Sequence, residues 1–203
     1  VSEVRICGVH EVPPFIEQFD IKKLMSCLSN YKVVDSAYGF TPSVMSLNPT
    51  YWGNQANWLK LNMEDTTNTS EADAPTTEEV VKGINFGASA IKSGNNLLVH
   101  CQLGVSRSPA MAIGSMIAAG DTIEEAFTKA KQVRPRIDPN PLIIQIIDDH
   151  LKLNGQLTEY NNNFRANTRS ALKTEYKKLT EAYMTDTKVL GIIFENVSAL
   201  DRL

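Results

Sequence analysis

Residues 97–109 read Leu-Leu-Val-His-Cys-Gln-Leu-Gly-Val-Ser-Arg-Ser-Pro. A hydrophobic strand ends at Cys101, five residues make a tight turn, and Arg107 begins a helix. Backbone amides of a turn that runs into a helix N-terminus point inward, and the helix dipole adds partial positive charge, so this pattern builds an anion cradle. Arg107 can hold two oxygens of a phosphate with its planar fork. Cys101 lies at the base of the same cradle, where the amides and Arg107 stabilise a thiolate and lower its pKa below that of a free cysteine. An anion site with a thiolate at its base is suited to attack on phosphorus and needs no metal. A zinc site at His100 and Cys101 is disfavoured. His10 and His150 are the other histidines, and no Cys or His lies at ligand spacing. No cofactor is expected.

The elements that position this segment alternate between strand and helix. A β-branched run predicts a strand over 4–9, and a helix follows over 15–28, behind Pro13 and Pro14. A second strand is predicted over 31–35, and the Ser, Pro, Asn and Gly of 36–57 read as loop. Trp58 to Asn62 alternates apolar and polar, the period of a half-buried strand. Residues 64–75 are a polar loop. Thr76 and Glu79 then have capping-box spacing, with Val80, Ile84, Gly87, Ala88 and Ile91 at helical period and Gly94 as the stop. After the cradle, helices are predicted over 109–119, from an Asp121/Glu124 cap to about 133, and over 141–154. The proline-punctuated loop 134–140 separates the last two. The fold class is therefore α/β, with a central mixed, largely parallel sheet flanked by helices. The expected division is a catalytic domain at 1–155 and a C-terminal helical extension at 156–203. In that extension Tyr160 to Asn163 reads as a polar linker and 167–183 as a charged helix.

Composition excludes several classes. The 203 residues carry 20 Lys and Arg against 23 Asp and Glu, a net charge of −3, with 42% hydrophobic residues. That is ordinary globular usage, long enough for one sizeable core. No basic block offers a nucleic-acid footprint, and no apolar run approaches the ~20 residues of a membrane span. Neither nucleic acid nor membrane is expected as a partner. Three cysteines, an odd number, suit a reducing compartment. No secretory pattern opens the printed sequence, and the expected location is cytoplasmic. Nothing in the sequence fixes an oligomeric state.

The combination His100, Cys101, Gly104, Arg107 and Ser108 resembles the His-Cys-x5-Arg-Ser/Thr signature of the protein tyrosine phosphatase superfamily. The Gly-x-Ser-Arg-Ser ending is most similar to its dual-specificity branch. Glu64-Asp65, at the end of a strand ahead of the capping-box helix, stands where that branch keeps its acid. The run Arg134-x-x-Ile137-x-Pro139-Asn140 before an amphipathic helix is also similar. The resemblance covers roughly residues 55–155. The segment 156–203 matches nothing in that pattern, and Leu103 stands where the branch usually has Ala.

The resemblance implies a metal-independent phosphatase acting on a phosphorylated protein or peptide. Cys101 would be the nucleophile that forms a phosphocysteine. Arg107 and the amides of Gln102, Leu103, Gly104, Val105 and Ser106 would bind the phosphoryl oxygens. Ser108 would hydrogen-bond the cysteine sulfur, His100 would fix the cysteine from behind, and Asp65 would be the general acid. Glu64, Asp73 and Asp138 are rivals for that last role. Asp65 is favoured because it directly follows the strand that should end beside the loop. Cys7 and Cys27 read as small core residues, with disulfide resolution of an oxidised Cys101 as the other reading. Competing functions are a catalytically weak phosphate-binding module and a phosphatase for a non-protein phosphate ester. Gln102, Leu103, Val105 and Ser106 bring no added cation for a highly charged substrate.

Overall fold

The computed structural model describes residues 2–29, 49–52 and 54–183. Four strands, β1 (Val4–Gly8), β2 (Lys23–Leu28), β3 (Trp58–Asn62) and β4 (Leu97–Cys101), form a sheet in the order β1-β4-β2-β3. Every pairing among them is parallel. β4 lies inside the sheet and is buried along its whole length, so Cys101 emerges from the most protected strand. This is the α/β architecture expected, and a parallel sheet requires helical cover on both faces.

One face is covered by the turn Val9–Glu11 and helix α1 (Val12–Gln18), where Cys7, Val12, Ile21, Leu24 and Leu98 form a buried cluster. The other carries α2 (Thr77–Lys92), α3 (Arg107–Ala119), α4 (Ile123–Val133) and α5 (Pro141–Leu151). Gly83 and Gly87 let α2 lie directly on α3, since a Cβ at either would run into Met111 or Ser115. Thr76 caps α2 as predicted, accepting from the Glu79 amide at 3.3 Å, while the Glu79 carboxylate turns to accept from the Asn62 amide at 2.9 Å.

Four expectations shift. The helix predicted over 15–28 is two elements: α1 ends at Gln18, Asp20 adopts a left-handed φ of 47°, and the rest is β2. Leu24 to Cys27 are buried between β4 and β3, so tertiary pairing overrides a run with no β-branched residue. The cap of α4 is Thr122 with Glu125, a reciprocal box one residue beyond Asp121/Glu124. Helix α5 stops at Leu151, where Lys152 turns left-handed. The strand predicted over 31–35 and most of the 36–57 loop lie outside the described residues, and a short helical turn occupies Pro49–Trp52.

The C-terminal boundary also differs from 155. The first compact unit runs to Asn162, and the second, 163–203, is described as far as Tyr183. No linker separates 156 from 167, because helix α6 spans Gln156–Tyr183. Its first turns belong to the first unit. Asp148 accepts from the Gly155 and Thr158 amides at 2.8 and 2.7 Å, acting as its cap. Leu157 and Asn161 are buried, Tyr160 packs on Phe127, and the Asn161 amide donates to the Pro139 carbonyl at 3.3 Å. A buried, bonded asparagine explains why the Asn run is no break.

Candidate active site

The loop between β4 and α3 is held from outside by its carbonyls. Gln102 O accepts from the Val9 amide at 3.2 Å and Leu103 O from Arg134 Nη2 at 2.9 Å. Val105 O accepts from the Asp138 amide at 2.8 Å, and Ser106 O from the Asn140 amide at 3.2 Å. With the carbonyls drawn outward, the amides of the loop are left to face the concave side. Arg134 is itself fixed by Glu11 at 2.8 Å, and the other Glu11 oxygen accepts from the Gly8 amide at 2.7 Å. One ion pair thus braces β1 against the loop.

Gly104 is required twice over. Its φ is +74°, and a Cβ there would lie 2.5 Å from the carbonyl carbon of Cys7 and 2.7 Å from the Gly8 nitrogen. Gly104→Ala should therefore cost more than about 2 kcal/mol of stability, from left-handed strain together with backbone collision. Chemical denaturation measures it, and an unchanged midpoint would contradict the packing of the loop on β1.

Cys101 Sγ accepts from Ser108 Oγ at 3.2 Å and from the Gly104 amide at 3.3 Å. Burial is the largest single influence on its pKa and acts to raise it. The Ser108 hydroxyl, the Arg107 charge and the amides of Ser108 and Gly104 together outweigh burial, and the pKa is lowered. For Cys7 and Cys27 burial prevails, and both thiols are pushed far up. Arg107 is 5% exposed, donates from Nη1 to Met63 O at 2.7 Å, and keeps Nε without a protein partner. Its guanidinium is thereby oriented by the end of β3, with further donors left over. His100 lies behind the loop, fully buried. Burial pushes its pKa down to about 4, with Arg107 acting in the same direction.

The Asp65 carboxylate meets the loop. Its Oδ1 accepts from Ser106 Oγ at 2.6 Å and Asn140 Nδ2 at 2.9 Å. Asp73 instead accepts from Asn62 Nδ2 at 3.0 Å. Asp138 meets the loop through its backbone amide. Ser106 occupies the N-cap position of α3 without capping it, because its hydroxyl is given to Asp65. The first amides of α3 are therefore not taken by a side-chain cap.

Asn140 is the residue the sequence reading left without a role. It is 2% exposed, and its amide nitrogen donates to Asp65 and, at 3.2 Å, to Thr66 O. Its oxygen accepts from the Leu142 and Ile143 amides, capping α5. The Asn140-Pro141 pair carried the signal, since Asn before an N-terminal Pro marks a helix start. Leu103 is 65% exposed and so extends from the rim without pressing on the core.

The loop with Cys101 at its base stands at the end of the buried strand of a parallel α/β sheet, and the sequence shows the family to which such a chain belongs. Residues 9–152 match the family "Dual specificity phosphatase, catalytic domain", to which this chain belongs. The chain is 35% identical over 77 residues to Dual specificity protein phosphatase 16 of Homo sapiens, covering 37% of this chain and 12% of that protein. It is 40% identical over 60 residues to Dual specificity protein phosphatase 2 of Mus musculus, covering 29% and 19%. The matches thus span a small part of those relatives' length. The crystal structure of a human tyrosine phosphatase-like serine/threonine/tyrosine-interacting protein superposes with a TM-score of 0.53 at 19% identity, over 74% of this chain and 91% of that one. The Cydia pomonella PTP-2 phosphatase gives 0.51 at 17% identity, over 73% and 86%. These two likenesses concern the fold. Among the described residues no helix is long and apolar enough to cross a membrane.

Proposed function

We propose that the first unit of this chain is a metal-independent phosphomonoester hydrolase of the protein-tyrosine or dual-specificity kind, working through a phosphocysteine on Cys101. The observation that carries this reading is the sulfur itself, held at the base of the loop by Ser108 and Gly104 with its pKa lowered. Arg107 and the loop amides hold the phosphoryl oxygens. Cys101 attacks phosphorus, the bond to the leaving oxygen breaks, and Asp65 supplies the proton to that oxygen. Water then attacks the phosphocysteine with Asp65 as base. The Ser108 hydroxyl eases departure of the thiolate, and His100 supports the cysteine from behind.

A phosphorylated protein or peptide is the substrate class favoured. The side chains at Gln102, Leu103, Val105 and Ser106 add no cation for a headgroup bearing several phosphates, and Arg134 is committed to Glu11 and Leu103 O. A reducing, cytoplasmic setting fits a mechanism that needs a free thiolate. The unit 163–203 is proposed as an appendage to the hydrolase, outside its chemistry.

Hydrolysis of p-nitrophenyl phosphate in the presence of a metal chelator tests the reading, and binding of phosphate without turnover would favour a phosphate-binding module instead. The acid is tested separately. A general acid matters in proportion to how poor the leaving group is, so Asp65→Asn should slow cleavage of a phosphotyrosine peptide by about 10²-fold. A substrate with a strongly acidic phenol should lose much less, and Asp73→Asn should change little on either. If Asp73→Asn instead gives the leaving-group-dependent loss, the acid is misassigned.

A further inference from the structure

Beneath the phosphate loop, on the α1 side of the sheet, three polar side chains from three strands meet in the interior. Ser26 of β2 stands in register with His100 of β4, and both are fully buried. Ser26 Oγ and His100 Nε2 share a short hydrogen bond. Trp58 of β3 donates its indole Nε1–H to the same Ser26 oxygen at 2.8 Å. Burying a serine and a histidine between apolar strands costs stability unless their polar atoms are paired. An apolar pair here would fill the sheet as well, so the cluster calls for a role.

The chemistry of the end members gives the chain a direction. An indole can only donate, so Ser26 Oγ accepts from Trp58. An oxygen that already accepts is a better donor, and His100 Nε2 lies within reach of its proton as an acceptor. Nε2 then presents its lone pair, and a neutral imidazole carries its one proton on Nδ1. At the other end of the ring Nδ1 is buried and completes no hydrogen bond, and the Cys101 backbone is the neighbouring group that favours a protonated ring. Burial keeps that ring neutral near pH 7.

We propose that Trp58 and Ser26 are positioning residues that lock His100 as the Nδ1–H tautomer and so hold the Cys101 backbone at the mouth of the loop. The effect on turnover rests on the hydrolase reading above, whereas the tautomer does not. Neither residue touches a substrate, and both act through His100. The sequence hid them: Ser26 lies in an apolar run, and Trp58 opens a strand that reads as core.

The test uses the full chain with 15N-labelled histidine. Histidines 10 and 150 are the others in the sequence, so His10→Gln and His150→Gln leave His100 as the single reporter. The expected result at neutral pH is one neutral species protonated on Nδ1. Trp58→Phe and Ser26→Ala should each introduce the Nε2–H species and lower kcat for an aryl phosphate by about tenfold with KM little changed. Ser26→Thr, which keeps the hydroxyl, should return the parent tautomer. Trp58→Phe carries the test if Ser26→Ala fails to fold, with a thermal melt to establish that the variant is native. A parent ring protonated on Nε2, or a tautomer unmoved in the folded variants, overturns the proposal. So does a shifted tautomer with parent kcat. If the tautomers behave as expected but the parent turns over no phosphoester, the lock stands and the hydrolase reading falls.

Discussion

Cys101→Ser should bring phosphoester turnover down to background, a loss of about 10⁴-fold or more, while inorganic phosphate still competes for the loop. The two effects separate because they come from different parts of the structure. On the proposed mechanism, anion affinity would come from the loop amides and the buried Arg107, which a serine leaves in place. On the same mechanism, attack would come from a thiolate, and a serine hydroxyl at the same point stays protonated at neutral pH. The charge on sulfur is independently measurable by alkylation with iodoacetate across pH. The thiolate fraction falls as pH drops through the cysteine pKa, so a lowered pKa moves the inflection below that of a free cysteine, about 8.5. Burial opposes the shift, and the Ser108 hydroxyl is the largest contribution favouring it. Ser108→Ala should therefore raise the inflection toward the free value. A Cys101→Ser variant that cleaves aryl phosphates at the parent rate would remove the covalent mechanism.

What the sequence revealed and what it hid divide along the range of the interactions. The cradle is contiguous: strand end, turn glycine, arginine and sulfur partner all fall between His100 and Ser108, and their chemistry is local. For the acid the sequence favours Asp65 over Glu64, Asp73 and Asp138, and the bonds Asp65 receives, from Ser106 and from Asn140 much later in the chain, are long-range in sequence. Central strand β2 was hidden for a related reason. Leu24, Met25 and Cys27 are buried on both faces of a parallel sheet, and a short fully buried strand has the same apolar run as a buried helix segment. The only local sign of the break is Asp20 in its left-handed turn. At the C-terminal end, Asn161 looked like linker composition, yet it is a core residue once Pro139 offers its carbonyl. Polar residues whose partners lie far along the chain are the ones composition misreads.

Arg107→Lys should reduce kcat/KM for an aryl phosphate by about 10³-fold, although the charge is unchanged. In the parent, one guanidinium nitrogen is given to the Met63 carbonyl at 2.7 Å, which orients the plane of the fork, and Nε remains available on the buried side of the cradle. A guanidinium can make that bond and still meet two phosphoryl oxygens. A lysine ammonium presents one compact point of charge and must choose between the carbonyl and the phosphate. An ammonium that meets the phosphate gives up the β3 end that leads into Asp65, which weakens the link between the phosphate site and the acid loop. The loss should fall on kcat more than on phosphate affinity, because bidentate contact matters most as charge redistributes over the transferring oxygens. Thermal denaturation of the variant establishes that the fold persists. A kcat near that of the parent in a folded Arg107→Lys protein would mean that any positive charge suffices in the cradle. The bidentate role assigned to Arg107 would then be wrong.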